Sequence, residues 1–103
     1  MDDKQLEAAI AAQPHDKVTK ESIESRIKDV HDFVIPGTTV TIVSIAMVNG
    51  FSFRGESACV DPRNFDPKIG RELAYRDAFR KIWSHEGYLL AEIRRQEAQE
   101  VAA

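Results

Sequence analysis

A run of β-branched residues, TTVTIVSIAMV, leads into Asn49–Gly50 and is answered at once by FSFRGESACV. No other feature narrows the fold as much. Asn-Gly between two β-prone runs signals a hairpin, because both central positions of a two-residue type I′ turn need positive φ. Upstream, KDVHDFVI alternates and Pro36–Gly37 turns the chain. The three runs together predict an antiparallel three-stranded meander.

A two-residue loop sets the register. It pairs Val48 with Phe51, Ala46 with Phe53, Ser44 with Gly55 and Val40 with Cys59, all on one face. The other face then carries Met47, Ile45 and Val43 opposite Ser52, Arg54 and Glu56. Neither face is cleanly polar, whereas an antiparallel sheet with one wet face alternates more sharply. The second face is therefore expected to meet another surface, and a second copy of the chain is the simplest source.

Helical signals flank the strands. DDKQLEAAIAAQ has the composition of a short helix ended by Pro14, and Thr19 is an N-cap for TKESIESRI. Asp66 and Pro67 suit the N-cap and first position of a later helix that runs to about Trp83. SHEG is expected to interrupt it before YLLAEIRRQ resumes, giving a helical hairpin. The predicted organisation is an arm over 1–17, one α+β domain over 18–95 and a frayed tail over 96–103. A chain of 103 residues holds one domain.

The single Cys59 excludes an internal disulfide framework and a cysteine metal site. MDDKQLEAAI has no apolar run of the kind a signal peptide needs, and nothing approaches the ~20 apolar residues that span a bilayer. A cytoplasmic location, with no membrane partner, is expected. With 14 Lys+Arg against 17 Asp+Glu the chain is acidic, which argues against binding along DNA.

The window DPRNFDPKIGRELAYRDAFRKIW reverses that sign with Arg63, Lys68, Arg71, Arg76, Arg80 and Lys81. Glu72 precedes Arg76 by four and Asp77 precedes Lys81 by four, so a solvated helix face accounts for part of it, at about 0.2–0.5 kcal/mol per pair. The other reading is an anion site. A helix start offers unpaired N–H groups, Gly70 permits close approach, and guanidinium groups hold two phosphate oxygens at once. Phe53, Phe65, Tyr75 and Trp83 offer stacking faces, and Asn64 a donor and an acceptor. These features suit a nucleotide-sized ligand. Catalysis has no comparable signal: His15, His31 and His85 share no spacing, and no hydrolase, Walker or Rossmann pattern occurs. No enzyme activity, metal or cofactor is expected.

The stretch from Pro36 to Leu90, with VTKESIESRI before it, resembles the gp-forty-nine/sixty-six family of small tailed-phage proteins. NGF, GESACVDPRNFD, IGRELAYRDAFRKIW and EGYLL carry the likeness. PKIGRELAYRDAFRKIW is also similar to the Gly-Arg-Glu helical hairpin of phage proteins that sequester cyclic oligonucleotides made by CBASS defence. Joined to a small sheet, it resembles the anti-Thoeris sponges, which bind cyclic ADP-ribose isomers. The resemblance implies a homo-oligomer, dimer-based and with a hexamer among its forms, that holds its ligand between protomers. It matches Gly70–Arg71 to the phosphate-facing Gly-Arg and sets Phe53, Arg54 and Asn64 at the pocket. Arg63, Arg76 and Arg80 join on their chemistry. Ser84 departs from the Pro many relatives carry. The expected function is sequestration of cyclic ADP-ribose isomers or cyclic di- and trinucleotides without degrading them. The competing expectation is direct inhibition of a host protein.

Overall fold

The computed structural model describes residues 1–102. In chain order these form α1 (Asp3–Ala11), α2 (Lys20–Glu24), β1 (Ile27–Val34), β2 (Val40–Met47), β3 (Ser52–Ala58), a single 3-10 turn (Pro62–Asn64) and α3 (Pro67–Ala102). The strands make one antiparallel sheet in the order β1-β2-β3. The meander, the short N-terminal helix and the α+β class are as the sequence predicts.

The caps follow local chemistry. Thr19 accepts from the Ser22 amide while the Ser22 hydroxyl accepts from Thr19, a reciprocal box that starts α2. Asp66 Oδ1 accepts from the Lys68 amide at 2.9 Å, and Pro67, which has no N–H to leave orphaned, opens α3. No residue of α1 is buried. The ammonium of Lys17 donates to the carbonyls of Ile10 (2.7 Å) and Gln13 (3.0 Å), closing the open end of that helix.

The hairpin register differs from the expected one by a single residue. The Met47 amide donates to the Phe51 carbonyl at 2.8 Å, and the Gly50 amide to the Met47 carbonyl at 3.0 Å, so the loop is Val48–Asn49–Gly50. Positive φ occurs at Gly50 (90°) but not at Asn49, which excludes a type I′ turn. The Asn49 side chain instead accepts from the Phe51 amide at 3.0 Å. Ile45 therefore faces Phe53, Val43 faces Gly55 and Thr41 faces Ser57. A slip of one exchanges the two faces of β3.

That exchange overturns the reason for expecting a second copy on the sheet's apolar face. Thr41, Val43, Ile45 and Met47 are buried under α3 of the same chain, together with Ala74, Ala78 and Ile82 from the helix and Ile23 from α2. The approach is close enough to need Gly55. A methyl placed there would lie 2.2 Å from the Ala74 carbonyl oxygen and 2.3 Å from the Ala78 amide nitrogen.

The expected helical hairpin is absent. α3 is one helix of 36 residues along a molecule 60 Å in its longest dimension, and it continues through residues 96–102. SHEG contains no proline, and one Gly in a helix costs only about 1 kcal/mol relative to Ala. The neighbouring side chains also support continuity. Glu86 pairs with Arg26 at 3.0 Å, and the His85 ring packs edge-on against Phe53 with centroids 5.0 Å apart. Nothing lies within 4 Å of a methyl built on Gly87. Gly87→Ala is therefore expected to stabilise the protein by about 0.5–1 kcal/mol. Calorimetric melting should show a rise of a few degrees, whereas a turn at this position would give a fall.

Candidate ligand-binding site

α3 lies on the sheet by the line Ala74, Ala78 and Ile82, which leaves two flanks. On one flank Asp77 and Lys81 reach the edge of β3. Asp77 accepts from the Glu56 amide at 3.0 Å, and Lys81 donates to the Arg54 carbonyl at 2.6 Å. By helix geometry Tyr75, Phe79 and Trp83 stand on the other flank, one turn apart. Their ring centroids are spaced 5.9 and 6.1 Å.

This aromatic ladder floors a cleft of about 460 Å³, completed by Glu72, Arg76, Arg80 and, from α2, Lys20. Tyr75 and Phe79 are half-buried against the core, while Trp83 is 43% exposed. Burial holds the Tyr75 hydroxyl above its ordinary range, with Glu24 and Glu72 adding to the effect, so it stays a neutral donor. Arg76 Nε donates to Glu72 at 3.0 Å, leaving both terminal nitrogens without a partner among the described residues. Arg80 sits 3.9 Å from Asp77 in a loose pair. The pairs Glu72–Arg76 and Asp77–Lys81 form as their spacing predicts. Chemically, the cleft offers stacking faces between exposed cations.

The other predicted residues do not join this cleft. Phe53 faces α3 and lines a smaller cleft of about 200 Å³ with Arg26, Phe51, His85 and Glu86. Arg54, its neighbour in an extended strand, points to the opposite face, where it donates to Ser52 at 3.3 Å. Phe53 and Arg54 therefore open to opposite faces of the sheet. Arg63 is held by both oxygens of Asp61 (3.1 and 2.7 Å), which keeps that carboxyl below its usual range. Asn64 and Gly70 line a third cleft with Cys59, Phe65 and Ile69. Gly70 has a packing reason as well, since a methyl there would lie 2.7 Å from the buried Thr41 hydroxyl. Arg71 is exposed, one turn before Tyr75, and forms no ion pair or side-chain hydrogen bond among the described residues.

The sequence carried the spacing of the aromatic ladder but not its setting. Lys20 joins it from a segment some fifty residues away, and no local pattern announces that contact. Among the described residues no group of three or more His, Cys, Asp or Glu side chains is placed to hold a metal ion. No described helix is long and apolar enough to cross a membrane.

A single long helix laid across a three-stranded antiparallel sheet, with an aromatic and cationic cleft on its free flank, defines a small α+β protein. The chain belongs to the Phage protein (N4 Gp49/phage Sf6 gene 66) family, whose model matches residues 18–93. That span takes in α2, the sheet and α3 as far as Ile93, and so includes every residue of the cleft. No curated protein and no solved structure matches it.

Proposed function

We propose that this phage-family protein is an anti-defence factor that binds cyclic nucleotide immune signals and holds them unaltered. The ligands are cyclic ADP-ribose isomers of Thoeris or cyclic di- and trinucleotides of CBASS. One observation carries the reading: Tyr75, Phe79 and Trp83 form a ladder beside the unpaired ends of Arg76, with Arg80 and Lys20 at the rim. Stacking on an aromatic ring contributes about 1–3 kcal/mol per base, and charge-assisted bonds to phosphate add to it. Sequestration needs sub-micromolar affinity, about 8 kcal/mol or more. An open cleft on one chain reaches that most readily when a second copy closes over it, in keeping with the homo-oligomer that the family resemblance implies.

Calorimetric titration against cyclic ADP-ribose isomers and cyclic di- and trinucleotides tests the proposal. Saturable binding of at least one class supports it, and heat indistinguishable from dilution for all of them contradicts it. Arg71 lies outside the lining of the cleft, one turn before Tyr75, and is expected to meet a phosphate that extends past that end of the ladder. Arg71→Ala should weaken binding of a trinucleotide by about tenfold, the loss of one charge-assisted bond, while leaving the melting temperature within a degree or two. Unchanged affinity removes Arg71 from the site.

A second reading, inhibition of a host protein by direct contact, is favoured by Ile69 and Leu73. These stand 58% and 52% exposed near the start of α3.

A further inference from the structure

Phosphate binding alone gives no reason for an acid in the ladder cleft. Of its charged side chains Lys20, Arg76 and Arg80 are cations, and Glu72 is a carboxylate. A carboxylate repels phosphate, so it belongs beside a part of the ligand that donates hydrogen bonds. Glu72 has acceptor capacity to spare. Arg76 Nε donates to one of its oxygens, Oε1, at 3.0 Å, while an ionised carboxylate offers about four lone-pair sites. Three positions along the helix, Tyr75 is its neighbour on the helix surface. The Tyr75 hydroxyl is kept neutral by burial and then by Glu24 and Glu72, and Glu24 in turn pairs with Lys20 across 3.8 Å. That end of the cleft thus joins a carboxylate that accepts to a phenol and an ammonium that donate.

One nucleobase edge complements that set. The Watson–Crick edge of guanine carries two adjacent donors, N1–H and the N2 amino group, followed by the O6 acceptor. The donors fit the two oxygens of Glu72, and O6 then meets Lys20 or the Tyr75 hydroxyl. Adenine sets a single donor, its N6 amino group, beside the N1 acceptor, which a carboxylate repels. Uracil and cytosine also carry a single donor on this edge. The sugars of a cyclic oligonucleotide offer no competing pair of hydroxyls, because one of the two is taken up by the linkage. The cations point the same way. Arg76 leans to Glu72 and Arg80 to Asp77, so the two guanidinium groups do not converge. Such a pair suits phosphates held apart by sugars better than the adjoining phosphates of a diphosphate.

We propose that the ladder cleft selects guanine, with Glu72 reading N1–H and the N2 amino group of a base stacked on Tyr75 while the phosphates lie toward Arg76 and Arg80. The proposal rests on the nucleotide reading above and narrows it. The ligand becomes a guanine-bearing cyclic oligonucleotide in place of a cyclic ADP-ribose isomer, whose base is adenine and whose phosphates adjoin. Glu72 is a specificity residue on this account. Were it there only to hold Arg76, its loss would change the affinity of every phosphorylated ligand alike.

The test is calorimetric titration of the full chain with cyclic di-GMP and cyclic di-AMP, which share sugars and phosphates and differ only in the base. Wild type should bind the guanine compound about tenfold or more tighter. The inosine analogue, which keeps N1–H and O6 but lacks the amino group, should fall between them. Glu72→Gln should bring the two within about threefold or reverse their order, because a glutamine amide pairs with the donor and acceptor of adenine. The Glu72 side chain is 60% exposed, so the dichroism spectrum should not change. Equal affinities in wild type, or a preference that survives Glu72→Gln, overturn the proposal and leave the sequestration reading standing. Binding confined to cyclic ADP-ribose isomers does the same. Failure of every cyclic nucleotide to bind overturns both.

Discussion

Gly55→Ala is expected to lower stability by about 3 kcal/mol or more, a fall in melting temperature of roughly 12 °C or greater for a domain of this size. The added methyl would overlap backbone atoms of α3, at 2.2 Å from the Ala74 oxygen and 2.3 Å from the Ala78 nitrogen. Backbone cannot rotate aside as a side chain can, so α3 must lift from β3. Lifting it exposes Ala78 and Ile82, opens the Val43–Ile45 face, and stretches the Asp77 and Lys81 bonds to the strand edge. A melting curve beside that of Gly87→Ala gives the cleanest comparison, because the same chemical change at an unobstructed helical site should stabilise. A Gly55→Ala protein that melts within about 3 °C of wild type would mean that the helix does not approach the strand so closely.

The second large effect is on binding. Trp83→Ala removes the most exposed rung of the ladder, and Arg76→Ala removes the cation with free terminal nitrogens. Each should weaken nucleotide affinity by about tenfold to a hundredfold, from the loss of one stacking face or one charge-assisted contact. Neither side chain is buried, so the folded spectrum should persist. Arg63→Ala is the control. Its guanidinium is already occupied by Asp61 on an exposed loop, and affinity should stay within about twofold. Equal losses for Arg63→Ala and Arg76→Ala would move the site away from the ladder.

Much of the fold was legible in the residues because the signals were local. Thr19, Asp66 and Pro67 state their caps in three or four positions, and the β-branched run with Asn-Gly states its hairpin. What failed depended on a choice between near-equal local solutions. Asn49 can turn by its backbone or cap with its side chain, and the difference of one loop residue moved Phe53, Gly55 and Ser57 to the other face. SHEG reads as a break only by composition. In place, Glu86 and His85 find Arg26 and Phe53, and these distant contacts outweigh one glycine. The site was legible in kind but not in arrangement. Arg76 and Arg80 share a cleft, whereas Phe53 and Arg54 are parted by the strand's own alternation and Arg63 by a neighbour two residues away. The aromatic spacing at 75, 79 and 83 was visible in the sequence, and only the tertiary structure shows that this flank stays open.

The most direct measurement is a depletion and recovery assay. The protein is mixed with a cyclic trinucleotide or a cyclic ADP-ribose isomer, the free ligand is quantified, and the mixture is then heated to unfold the protein. The account predicts stoichiometric loss of free ligand with wild type, a clearly smaller loss with Arg76→Ala, and full return of the unmodified molecule on heating. No depletion by any candidate, or recovery of a cleaved product, would contradict it.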